Sequence, residues 1–146
     1  MNTYTGQQRA SFREGEEAEP NGRDRTIRVM IVDDHKIVRE GLHGILGDVD
    51  GIEVVAEAAD GRDAIEQLDR VEPDVVIMDI SMPEMDGLEA TRRIASERPD
   101  VRVIGLSMHE KNEMAEAMVE AGAVTYLTKG GPSSGLVEAI HRAGGD

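Results

Sequence analysis

Five short apolar runs alternate with five helix-like segments along the chain, and this alternation constrains the fold more than any other feature of the sequence. Apolar residues in the segments between the runs recur at intervals of three and four, which is the spacing of one helix face. Strict alternation of strand and helix favours a parallel sheet with helices on both faces. The sequence therefore predicts a doubly wound α/β domain of five βα units. The predicted strands are Arg28–Val32, Ile52–Ala58, Asp74–Asp79, Val101–Leu106 and Val124–Thr128.

Several residues mark the expected helix ends. Asp60 followed by Asp63 is typical of an N-terminal cap, and Asp86 followed three residues later by Glu89 resembles a capping box. Gly122 is expected to close the fourth helix. The first helix is predicted to have one apolar face, formed by Val38, Leu42, Ile45 and Leu46.

Length and charge limit the classes of protein to consider. The chain has 146 residues, which suits one domain, and no cysteine, so disulfides and thiol chemistry are excluded. Thirty acidic residues against sixteen basic ones give a net charge of -14, which repels nucleic acid and anionic membranes. No apolar run approaches the roughly 18 residues of a membrane span, so a cytoplasmic protein is expected. Residues 1–26 are polar and predict a disordered tail or linker before a domain at residues 27–146.

Charged and hydroxyl side chains follow four of the five predicted strands. Asp33 and Asp34 follow the first strand, Asp79 the third, Ser107 the fourth and Lys129 the fifth. Because the carboxyl ends of parallel strands lie along one edge of a sheet, these side chains are expected to converge. Clustered carboxylates repel one another unless a cation lies among them, and Mg²⁺ prefers such oxygen ligands. With a lysine and a serine to contact phosphoryl oxygens, the set predicts a phosphoryl-transfer site.

Four segments at these strand ends carry a family resemblance. In chain order, VDDH, MDISMPEMDG, LSMHE and YLTKGG resemble the motifs of response-regulator receiver domains of two-component signalling. The resemblance covers Ile27 to about Ala143 and implies a flavodoxin-like, CheY-like sheet with strand order 2-1-3-4-5. DDHKIVREGL and LSMHE are similar to the NarL/FixJ subgroup, whose receivers are usually joined to a helix-turn-helix output domain. The last motif is also similar to the C-terminal receivers of hybrid histidine kinases, so the chain is either a stand-alone receiver or part of a longer protein.

The resemblance also implies a role for each carboxylate. Asp79 would take a phosphoryl group from a histidine kinase or a phosphotransfer protein. Asp34 and Asp79 would bind Mg²⁺ directly, together with the backbone carbonyl of Ser81, and Asp33 would act through water. Lys129 would neutralise charge on the transferring group.

A conformational switch is implied as well. Ser107 would turn toward the phosphoryl group and Tyr126 would swing inward, which changes the surface that protein partners contact. The chain would catalyse only its own phosphorylation and dephosphorylation, without contacting nucleic acid or membrane, and a homodimer is a further expected partner. Gly130 stands where many receivers have proline after the lysine, so the cis or trans state of the Lys129–Gly130 bond stays open. His35 is predicted to be a first-turn helix residue and not a zinc ligand.

Three other functions are compatible with this architecture. The first is a pseudo-receiver, an interaction module that never carries phosphate, and the complete set of acids, serine and lysine speaks against it. A haloacid-dehalogenase-type phosphohydrolase requires a second aspartate two residues after its nucleophile, where this chain has Ser81. A flavodoxin requires a phosphate-binding loop after the first strand, where Asp33 and Asp34 would repel phosphate.

Overall fold

The computed structural model describes residues 26–80, 82, 86–107 and 113–145. Within them, five strands and five helices alternate, as predicted. The elements are β1 Ile27–Val32, α1 Lys36–Gly47, β2 Ile52–Ala58, α2 Gly61–Val71, β3 Val75–Asp79, α3 Asp86–Glu97, β4 Arg102–Ser107, α4 Glu113–Ala121, β5 Thr125–Thr128 and α5 Ser133–Gly144. Of the predicted tail, only Thr26 lies in the described part of the chain.

The five strands form one parallel sheet in the order β2-β1-β3-β4-β5, which confirms the predicted order. The chain moves outward from β1 to β2 and then crosses back, so that β3 lies on the other side of β1. The direction of winding therefore changes between β1 and β3. In open α/β sheets, ligands bind in the crevice at the carboxyl ends of the strands at this switch point.

Strand β3 lies at the centre of two hydrophobic layers. Val76 and Met78 pack in a core cluster with α2, α3 and α4, whereas Val75 and Ile77 pack in a second cluster with α1 and α5. All five residues of the strand are buried, as its continuous apolar sequence indicates. Asp79 is therefore held at the end of the most rigid part of the sheet.

The helix ends agree with most of the sequence predictions. Asp60 is the N-cap of α2, and its side chain accepts a hydrogen bond from the Asp63 backbone N–H at 2.8 Å. Gly122 closes α4 with a φ of +128°, a conformation that side-chain-bearing residues rarely adopt. The Asp86 side chain lies outside the described residues, so the predicted capping box stays a prediction.

Helix α1 has the predicted apolar face, but part of this face is exposed. Leu46 is buried, and Val38 and Leu42 are half-buried, but Ile45 is 43% exposed. A groove of about 390 Å³, lined by Val38, Leu42 and Ile45 on one side and by the β5–α5 connection and α5 on the other, leaves this part of the apolar face open. No helix among the described residues is long and apolar enough to cross a membrane.

Candidate functional site

Two carboxylates leave the sheet side by side at the switch point. Val32 of β1 pairs with Met78 of β3, so the residues that follow them, Asp33 and Asp79, are neighbours. The Asp33 backbone N–H donates to the carbonyl of Ala58 at 3.1 Å, which continues the pairing of β1 with β2. Asp33 is 1% exposed and Asp79 is fully buried. The sheet itself thus fixes both side chains at the floor of the crevice.

Lys129 reaches both carboxylates from the end of β5. Its backbone N–H donates to the Ser107 carbonyl at 2.6 Å, which anchors the residue beside β4. Its Nζ lies 2.9 Å from Asp33 Oδ2 and 3.1 Å from Asp79 Oδ1. The glycine that follows the lysine therefore does not keep the ammonium group away from the site.

Burial and charge act in opposite directions on this cluster. Burial by itself would raise the pKa of Asp33, but the Lys129 ammonium and the backbone N–H of His35 bring it below its ordinary value. Burial by itself would lower the pKa of Lys129, but Asp33 and Asp79 raise it. Asp33 is therefore ionised and Lys129 is protonated at neutral pH.

The donor set fits a hard divalent cation. Asp33, Asp34, His35 and Asp79 each offer one ligand atom, and these atoms all lie within 4.8 Å of one another. With ionised carboxylates, three negative charges meet a single ammonium group, which leaves two negative charges in a crevice that is partly closed to water. A divalent ion compensates this excess, and the oxygen donors suit Mg²⁺.

The structure describes two of the three remaining predicted site residues. Ser107 is the buried last residue of β4, and because Leu106 pairs with Asp79, Ser107 lies at the same edge. Tyr126 lies in the middle of β5, is half-buried, and packs against the core cluster beneath α4. Ser81, predicted to bind the metal through its carbonyl, lies outside the described residues.

Gly87 has a role that the sequence analysis missed. Gly87 lies in the first turn of α3, and no pattern in the sequence indicates close packing at this position. A Cβ atom there would be 2.6 Å from the carbonyl oxygen of Asp79, far inside contact distance. Only glycine lets α3 pack this closely against the end of β3. The close packing therefore helps to position the Asp79 backbone.

Residues at four-residue intervals on α1 and its N-terminus also support the site. Arg39 donates from Nη1 to the carbonyl of Asp33 at 2.6 Å and from Nε to Glu57 Oε1 at 3.2 Å. His43 Nδ1 lies 2.7 Å from Glu57 Oε2. His35 Nδ1 lies 3.0 Å from an oxygen of both Asp33 and Asp34. The i, i+4, i+8 spacing of the three basic residues was the signal in the sequence, although Glu57, the acidic partner of Arg39 and His43, lies on β2.

Comparison with known proteins gives one consistent family. The family model for the response regulator receiver domain matches residues 29–141. Response regulator UvrY of Escherichia coli (strain K12) is 46% identical over 114 residues, which are 78% of this chain and 52% of UvrY. The chain spans about half the length of the curated relatives that it matches.

Solved structures agree with this result. A two-component response regulator of the LuxR family from Aurantimonas sp. SI85-9A1 is 41% identical, with a TM-score of 0.75 over 80% of this chain and 84% of that one. The signal receiver domain of NarL from Mycobacterium tuberculosis is 30% identical, with a TM-score of 0.76 over 83% of this chain and 98% of that one. Both similarities extend over nearly all of the described fold.

Proposed function

The chain belongs to the response regulator receiver domain family of two-component signalling, with NarL/FixJ-like relatives, and we propose that Asp79 is its phosphoacceptor. One observation carries this proposal. Asp79 is fully buried at the end of β3, its Oδ1 is 3.1 Å from Lys129 Nζ, and it shares a cluster with two further carboxylates. Among the described carboxylates, only those of Asp33 and Asp79 are both buried and in contact with Lys129. Asp79 is the last residue of β3, whereas Asp33 lies after the end of β1.

The proposed reaction transfers a phosphoryl group to a carboxylate oxygen. Asp79 attacks the phosphorus of a phosphohistidine, an O–P bond forms and the N–P bond breaks, and the electron pair of that bond returns to the imidazole. Lys129 neutralises negative charge on the transferring group, and the rigid strand holds the nucleophile in position. The product is an acyl phosphate on Asp79, so the chain would catalyse only its own phosphorylation and dephosphorylation.

The acidic residues would hold the metal ion. Asp34 and Asp79 are proposed as direct ligands, with the Ser81 carbonyl, and Asp33 is proposed to act through water. Bound Mg²⁺ supplies positive charge to the phosphoryl oxygens during transfer. The excess of two negative charges in the cluster supports this assignment.

The signal would then reach a protein partner through a switch. Ser107 is proposed to contact the phosphoryl group, and Tyr126 to move inward from its half-buried position, which alters the surface of α4, β5 and α5. The proposed partners are a histidine kinase or phosphotransfer protein and a second copy of the chain, in the cytoplasm and without direct nucleic-acid or membrane contact. We propose residues 27–146 as the receiver and residues 1–26 as a tail or linker.

Phosphorylation by acetyl phosphate with Mg²⁺ tests the acceptor. Intact-mass spectrometry of the wild-type chain is expected to show one added phosphoryl group, and Asp79→Asn is expected to show none. The matched control is Asp50→Asn, which changes an exposed carboxylate in the turn before β2 and is expected to be phosphorylated normally. Equal phosphorylation of Asp79→Asn would refute the assignment. A wild-type chain that is never modified would favour the pseudo-receiver alternative.

A further inference from the structure

His35 places an imidazole nitrogen inside the acidic cluster. The residue is the N-cap of α1 and follows the end of β1, with an extended backbone at φ -102° and ψ 111°. Its Nδ1 lies 3.0 Å from Asp33 Oδ1 and 3.0 Å from Asp34 Oδ1, although the side chain is 61% exposed. The ring therefore has one nitrogen among the carboxylates while most of its surface faces solvent.

Asp33 lies between Lys129 and His35 in this cluster. Its Oδ2 faces the Lys129 ammonium at 2.9 Å, whereas its Oδ1 accepts the backbone N–H of His35 at 2.8 Å and lies beside the His35 ring. Lys129 thus occupies the β5 side of the cluster. On the side formed by Asp34 and His35, the described contacts include no lysine or arginine, so a metal ion on this side would compensate the remaining charge.

The spacing of Asp34 and His35 fits a pair of adjacent ligands. Two neighbouring ligands of an octahedral ion with bonds of about 2.1 Å are separated by about 3.0 Å. The distance between Asp34 Oδ1 and His35 Nδ1 is 3.0 Å. A hydrogen bond between these atoms has the same length, so the distance alone leaves both roles open, and the metal preference of the site distinguishes them.

Against the expectation from the sequence that His35 is not a zinc ligand, we propose that His35 Nδ1 is a direct ligand of the metal ion at this site, and that this ligand raises the affinity of the site for Co²⁺, Ni²⁺ and Zn²⁺ relative to Mg²⁺. The inference rests on the proposed metal role of Asp34 and Asp79. A neutral imidazole with its proton on Nε2 offers the Nδ1 lone pair to the ion. Imidazole nitrogen binds late first-row ions much better than Mg²⁺, and affinity rises along this series. The same carboxylates then hold Mg²⁺ with oxygen ligands and the other ions with one additional nitrogen ligand.

Metal titrations of His35→Ala test this proposal. In the wild-type chain, calorimetry is expected to give at least about tenfold tighter binding of Ni²⁺ than of Mg²⁺, since even residues that act through a ligand change metal affinity 10- to 100-fold. His35→Ala is expected to lower Ni²⁺ affinity at least about tenfold and to leave Mg²⁺ affinity within about twofold. The matched control is His141→Ala, which removes an exposed imidazole of α5 outside the cluster and is expected to change neither affinity.

Electron paramagnetic resonance gives a second readout that is independent of activity. Cu²⁺ in the wild-type site is expected to show nitrogen superhyperfine coupling that is absent in His35→Ala and retained in His141→Ala. An unchanged spectrum and unchanged Ni²⁺ affinity in His35→Ala would overturn the proposal. An equal loss of Mg²⁺ and Ni²⁺ binding would also overturn it, because His35 would then only orient the carboxylates.

The proposed function can fail separately. If His35→Ala leaves Ni²⁺ binding unchanged while the chain still binds Mg²⁺ and is phosphorylated on Asp79, only the role of His35 is refuted. If the wild-type chain binds no Mg²⁺, the proposed metal role of the carboxylates is refuted, and the inference about His35 is overturned with it.

Discussion

Strand β3 has an aspartate at each end, and the two carboxylates differ in burial and in the groups that they contact. Asp74 precedes the strand, is half-buried, and accepts a hydrogen bond on Oδ2 from the backbone N–H of Arg28 at 2.9 Å. Asp79 ends the strand, is fully buried, and lies 3.1 Å from the Lys129 ammonium. The first carboxylate satisfies the backbone of a neighbouring strand, whereas the second adds charge to a cluster that already has two carboxylates.

The direction of the strands explains this difference. At the amino end, the Arg28 side chain donates to the carbonyls of Val71 and Glu72, and Asp74 continues the sheet by donating its N–H to the Arg28 carbonyl at 2.8 Å. Polar groups of the fold satisfy one another there. At the carboxyl end, the winding of the chain opens a crevice between β1 and β3, and polar groups there can contact a ligand. The aspartate before the apolar strand is structural, whereas the aspartate that ends it is proposed to take part in the chemistry.

Magnesium affinity is expected to separate the two ends most strongly. Asp34→Ala removes a proposed ligand at the carboxyl end and should weaken Mg²⁺ binding about 100-fold, the upper part of the range found for changes around metal sites. Asp74→Ala should leave Mg²⁺ affinity unchanged, because Asp74 lies at the other end of the strand. Calorimetric titration measures both. Equal affinities of Asp34→Ala and the wild-type chain would contradict the metal role.

Gly87→Ala tests how closely α3 must pack against the carboxyl end. The added Cβ would lie 2.6 Å from the Asp79 carbonyl oxygen, so the helix or the strand end must move, and we expect a loss of about 2 kcal/mol of stability. The matched control is Gly44→Ala in α1, where no atom lies within 4 Å of the new Cβ. It is expected to stabilise the protein by about 0.5–1 kcal/mol through helix propensity. Urea unfolding that shows the same sign for both variants would contradict the close packing.

Stability in metal-free buffer should have opposite signs at the two ends of β3. Asp74→Ala leaves the Arg28 backbone N–H without its acceptor and is expected to cost about 1–2 kcal/mol. Asp79→Ala removes one of three clustered carboxylates and is expected to stabilise the fold by about 1 kcal/mol, as is common for residues that serve function at the expense of stability. Denaturant midpoints measure both. A loss of stability in Asp79→Ala equal to that in Asp74→Ala would mean that Asp79 is structural as well.

The sequence predicted those features that depend on residues near one another along the chain. The alternation of apolar runs and helix faces gave the sheet, and the positions of Asp33, Asp79 and Lys129 at strand ends brought them to one edge, as the structure confirms. The strand order came from the family resemblance, since periodicity alone does not specify which strands are neighbours.

Features that depend on contacts between distant elements could not be predicted. Position 87 requires glycine because a Cβ atom there would meet the Asp79 carbonyl oxygen, which belongs to another element. No local sequence pattern indicates this contact. Arg39 donates to Glu57 of β2. The sequence of β2 shows only that Glu57 is a polar residue and does not identify its partner. The spacing of Ile45 placed it on the apolar face of α1, but whether that face is covered depends on how closely α5 approaches.

The smallest expected effect concerns Glu57, which supports the carboxyl end through Arg39. His43 and then Arg39 hold the pKa of the Glu57 carboxyl below its ordinary value, against the opposing effect of burial. Because the folded-state pKa is lowered, this stabilisation is fully present above the pKa of the unfolded chain and is lost as the pH falls through the folded-state value. Glu57→Gln should therefore cost about 0.5–1 kcal/mol at pH 7, and the difference from the wild-type chain should shrink as the pH approaches 3.

Urea unfolding at several pH values measures this difference. The matched control is Glu97→Gln, which changes an exposed pair with Arg93 and should change stability by at most about 0.5 kcal/mol. A cost for Glu57→Gln that stays constant down to pH 3 would show that Glu57 acts by packing and not by charge, and the support of Asp33 through Arg39 would then not depend on the ionised carboxylate.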